Sequence, residues 1–458
     1  MTAKSSDLLA PLDLAFWNIE TAEHPMHLGA LGVFEADAPG AARHAYELLA
    51  SRAAGVPGLR MRIAGVLVPV GGAARVPVTD FDPLDHVRIT EPVADFHAAA
   101  GALMERQLDR RRPPWEAHVL PSADGSSFAV LFKFHHALAD GLRALTLAAA
   151  VMDPVELPAA RAPQPEPAVR RGLRLPFPGL RDITLGDLDP RRYPGHVRAL
   201  AGATTQAVSI GASVAKATWG VRTSKALTSE ASGTRRTAGV VLDLDDVHRI
   251  RKTAGGTVND VLIAVVAGAV RRWLDERGDG SDGVEPRALI PVSRRRPRTA
   301  HPQGNRLSGY LVRLPVGERD PVERLRTVRA AMDRRKDRGP QRGAGAVALL
   351  ADHVPPLGHR LGGSLVGQNA RLLFDLLVTS VPLPSLGLKL GGCPLTEVFP
   401  LAPLAQGQSL AVAVSTYRGS VHYGLVADAA AVPDLDVLAR AIRTELELLG
   451  AECESRRA

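Results

Sequence analysis

An apolar run, Phe128-Ala129-Val130-Leu131-Phe132-Lys133-Phe134, ends in two adjacent histidines, His135 and His136, with Asp140-Gly141 four and five residues beyond the second. Strand alternation puts Phe128, Val130, Phe132, Phe134 and His136 on one face and Lys133 and His135 on the other. The two imidazoles are therefore expected to point in opposite directions, and only one can serve a given cavity. Asp140-Gly141 then turns the chain into an apolar stretch (Leu142, Leu145, Leu147 and several Ala) that reads as a helix.

Three readings of this turn compete. A histidine after an apolar strand is commonly a hydrogen-bonded core residue, and an Asp before Gly is commonly a turn former. A titratable imidazole closing a buried strand, with a carboxylate one turn away, also suits general-base chemistry. A metal site built from His135, His136 and Asp140 fits poorly, because opposed side chains do not share an ion and no other His/Cys/Glu cluster has ligand spacing.

Around this run, strand and helix patterns alternate, so an α/β or α+β chain is indicated. Residues 28–35 and 59–70 read as strands, the latter interrupted at Gly65; 41–53 and 93–108 read as helices, and a strand pair begins at His118 and turns at Asp124-Gly125. Prolines recur from 155 to 194, which marks a linker, and 196–227 reads as a weakly amphipathic helix. A second folded part starts near 239, giving the division 1–154, 155–238 and 239–458. In it, 240–244, 288–292 and 307–315 read as strands, and 321–338 and 435–449 as helices. Strands 410–417 and 421–427 form a hairpin about Arg418-Gly419-Ser420. Asp246 is the expected cap of a helix over 245–254, and Thr257 of one running through Trp273.

At 458 residues the chain can build two cores. Two cysteines, Cys393 and Cys453, do not make a disulfide framework, and no leader pattern or bilayer-length apolar run occurs; the chain is expected in the cytoplasm. The formal charge of +8 admits nucleic acid, an anionic membrane or phosphorylated substrates. Aromatics are scarce and none interleaves the Arg clusters, which argues against nucleic acid. Ser293-Arg294-Arg295-Arg296-Pro297-Arg298 after a strand suits phosphates, although such a run is commonly a solvated face. Gly278-Asp279-Gly280-Ser281-Asp282-Gly283 has dinucleotide-loop spacing but follows a helix, so that site is discarded.

His135-His136-Ala137-Leu138-Ala139-Asp140-Gly141 resembles the His-His-x-x-x-Asp-Gly signature of the coenzyme A-dependent acyltransferases. Further segments resemble the bacterial wax ester synthase/diacylglycerol acyltransferases. These are Pro11-Leu12-Asp13-Leu14-Ala15-Phe16, Pro25 to Ala30, Pro113-Pro114-Trp115-Glu116, Asn259-Asp260, Gly304 to Ser308, Pro403 to Gln408 and Val421 to Leu425. One departure stands out: Ser380-Val381-Pro382-Leu383-Pro384 occupies the place where the family commonly has Asn-Val-Pro-Gly-Pro.

The resemblance implies two chloramphenicol acetyltransferase-like halves, each a mixed sheet with flanking helices, and a tunnel between them. It implies acyl transfer from acyl-CoA, a co-substrate with no bound cofactor, to diacylglycerol or a long-chain alcohol at a membrane or lipid-droplet surface. His136 is then the general base and His135 a structural neighbour. Asp140 either orients His136 or, as the resemblance favours, holds the loop through an Arg from elsewhere. Gly141 permits the turn, and Asn259 and Asp260 support the centre. Arg294, Arg295 and Arg296 are candidates for the coenzyme's phosphates, Trp115 is a packing anchor, and Ser415 or Thr416 are candidate oxyanion donors. No Gly-x-Ser-x-Gly elbow occurs, consistent with direct transfer. A condensation-type domain using carrier-bound acyl groups and a non-catalytic lipid-binding homologue remain the alternatives.

Overall fold

The computed structural model describes residues 7–154, 222–293, 307–338, 374–383 and 387–456, with Pro356 and Arg360. The first half runs α1 (Pro11–Ile19), β1 (His27–Glu35), α2 (Ala41–Ala53), β2 (Met61–Gly65), β3 (Ala73–Pro77), β4 (Val87–Ile89), α3 (Phe96–Met104), β5 (Trp115–Pro121), β6 (Ser127–His135) and α4 (Gly141–Ala149). The second begins with β7 (Arg235–Asp243), α5 (Leu244–Ala254), α6 (Val258–Glu276), β8 (Arg287–Ser293), β9 (Leu307–Arg313) and α7 (Pro321–Arg338). It continues with β10 (Leu376–Pro382), β11 (Lys389–Leu390), β12 (Cys393–Leu401), β13 (Leu410–Tyr417), β14 (Ser420–Asp428) and α8 (Leu435–Ser455).

The strands make two mixed six-stranded sheets, ordered β11-β12-β1-β6-β5-β4 and β7-β14-β13-β10-β8-β9, and β2–β3 form a separate hairpin. Strand β6 is central and covered on both faces, as its continuous apolar run requires. Phe128, Val130, Phe132 and Phe134 pack with Trp115, Leu49 and Leu147. Ala129 and Leu131 pack on the other side with Ala100 and Leu103 of α3 and with Ala411 and Ala413 of β13. Lys133 on that face is fully buried; its ammonium donates to the carbonyls of Leu103 (2.8 Å) and Arg106 (2.7 Å), closing the end of α3, and burial lowers its pKa to about 8.

The division at residue 239 does not separate the two sheets. The second sheet starts earlier, at Arg235, and residues 389–401 leave it to complete the first, with β12 pairing antiparallel to β1 from Gly29↔Leu401 to Phe34↔Leu395. This crossover satisfies a β1 edge that would otherwise be left unpaired. The halves are fastened at two further places. Helix α3 lies over β7, where Thr237 Oγ1 donates to His97 O (2.8 Å) and the Arg235 N–H donates to Glu105 Oε1 (2.9 Å). Strand β14 touches β12 so closely that a Cβ at Gly424 would stand 1.9 Å from the Pro400 carbonyl oxygen.

Several local expectations need correction. The strand read over 59–70 is a hairpin: β2 ends at Gly65, and a turn through Pro69, Gly71 (φ +81°) and Gly72 leads into β3. The helix at 93–108 is limited to Phe96–Met104 by its Asp95 cap, and the strand expected at His118 starts at Trp115. Asp243, not Asp246, caps α5, accepting the Asp245 N–H at 2.7 Å. Thr257 does cap α6, with a reciprocal bond from Asp260. The 410–427 hairpin turns on Arg418-Gly419, with both φ positive, as a two-residue hairpin requires. The proline-rich 155–194 stretch and most of the 196–227 helix lie outside the described residues, and Lys225–Leu227 form a single 3-10 turn. The apolar run of α6 is buried in the second core, and among the described residues no single helix is long and apolar enough to cross a membrane.

Gly424→Ala should drive a methyl group into the Pro400 carbonyl and cost about 3 kcal/mol in denaturant unfolding. Gly387→Ala, with nothing within 4 Å of its Cβ, serves as the control.

Candidate active site

Strand β6 ends at His135, and His136 lies in the turn that follows. Strand alternation therefore stops one residue short of it, and its direction is set by the turn. The turn is held from three sides. The His135 N–H donates to Pro114 O (2.9 Å), immediately before Trp115, whose buried indole N–H donates to Leu59 O (2.7 Å). The His136 N–H donates to Met26 O (2.8 Å), just ahead of β1. Arg75 Nη2 of β3 donates both to the Ala137 carbonyl (2.8 Å) and to Asp13 Oδ2 of α1 (2.7 Å), with both side chains buried.

Each imidazole meets its own aromatic partner on α1. His136 stacks on Phe16, with ring centroids 4.1 Å apart and planes 20° apart, while His135 meets Trp17 edge-on at 4.8 Å. His135 Nδ1 accepts the Ala137 N–H at 3.0 Å, which assigns the proton to Nε2, 3.5 Å from Glu20 Oε2. That histidine is wholly buried and spent on the turn. His136 is half-buried. Burial lowers its pKa from 6.5, against the opposing pull of the Asp13 and Asp140 charges, so the ring is neutral near pH 7.

Asp140 caps α4, with Oδ1 accepting the Arg143 N–H (2.9 Å). Arg75 holds the same loop, through Asp13 and the Ala137 carbonyl. Gly141 has no positive φ, so the turn itself does not demand glycine; the constraint is Val381 of β10, which a Cβ would meet at 3.3 Å. The two halves touch here, beside the departure from the family pattern. Leu383 packs against the first core, so a leucine where the family commonly has glycine adds apolar contact between the halves.

Two of the remaining candidates, Asp260 and Ser415, are bonded to groups outside the turn. Asp260 Oδ2 accepts from the N–H and hydroxyl of Thr257 (both 2.8 Å), a helix cap in the second half beside Asn259. Ser415 donates to Val398 O (3.0 Å) across the sheets and is thereby committed; Thr416 is half-buried, opposite Pro382 and Val421. Arg294, Arg295 and Arg296 lie outside the described residues. Among the described residues, no group of three or more His, Cys, Asp or Glu is placed to hold a metal ion. Phe16 and Arg75 are the neighbours that residue chemistry alone did not single out.

Two mixed sheets joined by a strand exchange, with a His-His turn where the halves meet, make a chloramphenicol acetyltransferase-like fold. The chain belongs to the wax ester synthase/diacylglycerol acyltransferase family: that family's catalytic domain matches residues 9–262 and its C-terminal domain residues 303–450. The probable diacylglycerol O-acyltransferase tgs2 of Mycobacterium tuberculosis is 31% identical over 96% of this chain and 98% of its own length. A second such protein of that organism, tgs1, is 29% identical over 98% and 97%. The wax ester synthase/diacylglycerol acyltransferase of Marinobacter aquaeolei VT8 superposes with a TM-score of 0.68 at 21% identity, over 98% of this chain and 100% of that one. A trichothecene 15-O-acetyltransferase from Fusarium sporotrichioides shares the fold, with a TM-score of 0.60 at 12% identity over 98% and 96%.

Arg75→Gln would leave the Asp13 carboxylate buried without its cation and should cost about 3–5 kcal/mol of stability. Asp13→Asn combined with Arg75→Gln should lose clearly less than the sum of the two single variants by denaturant unfolding, because the two side chains act as one unit.

Proposed function

We propose that this enzyme transfers a long-chain fatty acyl group from acyl-CoA to the hydroxyl of diacylglycerol, and also to long-chain alcohols, with His136 as general base. The observation that carries the reading is the neutral, half-buried His136 ring, fixed by Phe16 on one face and by a turn tied to three strands. An alcohol is a poor nucleophile until its proton is accepted as the new bond forms, and a neutral imidazole accepts it near pH 7. The hydroxyl oxygen attacks the thioester carbonyl, the tetrahedral intermediate expels the coenzyme thiolate, and the imidazolium returns the proton to sulfur. No acyl-enzyme is needed, since the thiolate leaves readily.

His135 has no part in proton transfer in this scheme, because its Nδ1 is occupied by the Ala137 N–H. Asp140 sets the start of α4 and adds negative charge near the ring. The Arg294-Arg295-Arg296 run is assigned to the phosphates of the coenzyme on its charge and its place after β8. The work is placed in the cytoplasm, at a membrane or lipid-body surface, where diacylglycerol resides.

Purified protein given a long-chain acyl-CoA and diacylglycerol should release free thiol and form triacylglycerol by mass spectrometry. His136→Ala should cut kcat by roughly a hundredfold or more; a variant that retains full rate removes the base assignment. The active ring is the unprotonated one and its pKa lies below 6.5. The acid limb of kcat/KM should therefore fall below the pH at which an ordinary histidine titrates, with activity level through neutrality.

A further inference from the structure

The β2–β3 hairpin ends in a tip that a water-soluble surface does not call for. Leu67, Val68 and Val70 are 79%, 77% and 63% exposed, the three most exposed large apolar side chains among the described residues. From Gly65 to Ala74 the chain carries no polar side chain at all (Gly-Val-Leu-Val-Pro-Val-Gly-Gly-Ala-Ala). Consecutive exposed aliphatics on one turn make a patch that isolated surface residues do not.

We propose that this hairpin tip is the element by which the enzyme docks on an anionic lipid surface, its aliphatic side chains entering the layer beside the catalytic turn. Three observations favour lipid over a protein partner. The tip is convex and purely aliphatic, without the aromatic anchors that mark protein interfaces, whereas a fluid acyl layer conforms to it. The charge its strands offer to solvent is cationic: Arg62 of β2 is half-buried, with neither an ion pair nor a side-chain hydrogen bond among the described residues, and no acidic residue occurs between Glu47 and Asp80. That charge suits anionic headgroups.

The hairpin is also rooted at the site. Ile63 of β2 and Ala73 of β3 pack in one cluster with Leu9, Leu14 and Ala137, and Arg75 bonds the Ala137 carbonyl. Ala137 directly follows His136. Only three to five residues, at most about 17 Å of chain, separate the tip from this root. A lipid acceptor leaving the surface at the tip thus has only the length of the hairpin to travel. The inference deepens the lipid-acceptor reading above by naming how the acceptor's surface is engaged.

The test is co-sedimentation of the full-length protein with vesicles of phosphatidylcholine and phosphatidylglycerol, at low and high salt, beside two turnover assays. The triple variant Leu67→Ser, Val68→Ser, Val70→Ser should fold as the parent does, since the three side chains are exposed. Its partitioning should fall about a hundredfold or more, at roughly tenfold per aliphatic side chain. Arg62→Gln should weaken the salt dependence. Turnover of a water-soluble short-chain alcohol should be unchanged in the triple variant, while turnover of diacylglycerol held in vesicles should drop with binding. Equal vesicle partitioning of parent and triple variant overturns the proposal. So does tip-dependent dimerisation by light scattering without vesicle binding, which would assign the tip to a second copy of the chain. Tip-dependent vesicle binding with no acyl transfer to either acceptor would uphold the docking surface and overturn the substrate reading instead.

Discussion

A guanidinium and a carboxylate buried together in an apolar setting tolerate the loss of neither partner, and in this protein the pair joins α1 and β3 to the His-His turn. Asp13 comes from α1, Arg75 from β3, and their shared hydrogen bonding extends to the Ala137 carbonyl. Breaking such a pair strands a charge away from water, at a cost comparable to a large part of a domain's stability. The three segments therefore hold their relative positions together. The consequence falls on His136, whose ring rests on Phe16, one helical turn along from Asp13. A ring placed this way is preorganised, and the proton transfer proposed for it would need little reorganisation.

The same economy governs the seam between the sheets. A two-domain enzyme with its site at the junction needs halves that do not slide, and here the chain itself crosses the junction. Strand β12 is covalently part of the second half and hydrogen-bonded into the first. Its contact with β14 is made at a position without a side chain, Gly424, so backbone meets backbone. Helix α3 then covers the edge of the second sheet and gives its own carbonyl and carboxylate oxygens to β7. Against this frame the approach of Val381 to Gly141 is a fixed distance, and the motif glycine reports a neighbour in space.

The run into His135, the hairpin at Arg418-Gly419 and the capped helix after Thr257 were legible in the sequence because their signals are local: period, turn chemistry and cap spacing. Strand β12 was not. Cys393-Pro394-Leu395-Thr396-Glu397-Val398 carries no strong alternation, and what makes it a strand is the free edge of β1, more than 350 residues away. The strand pattern over 59–70 runs past the end of β2 because Gly65 resembles an interruption; only the pairing of Ile63 with Arg75 reveals the turn. The His-His turn was legible, but the direction of His136 was not, since the strand ends before it. The supporting residues left a trace that composition obscures. Asp13 stands alone in Leu12-Asp13-Leu14-Ala15-Phe16, and Arg75 alone in Ala73-Ala74-Arg75-Val76-Pro77. A single charge inside each of two apolar segments is a request for a partner, and here each is the other's.

A neutral imidazole in an apolar niche also suits the kind of substrate. Water near the thioester would compete with the acceptor hydroxyl, and the half-buried His136 ring is covered on one face by Phe16. The ring stacks on Phe16, Ala137 beside it packs with Leu9, Leu14 and the root of the hairpin, and the Asp13 and Asp140 carboxylates lie near enough to act on its charge. On the function proposed above, the burial that keeps the His136 ring unprotonated also favours a lipid acceptor, and the turn that carries the ring is tied down by the buried Arg75–Asp13 pair.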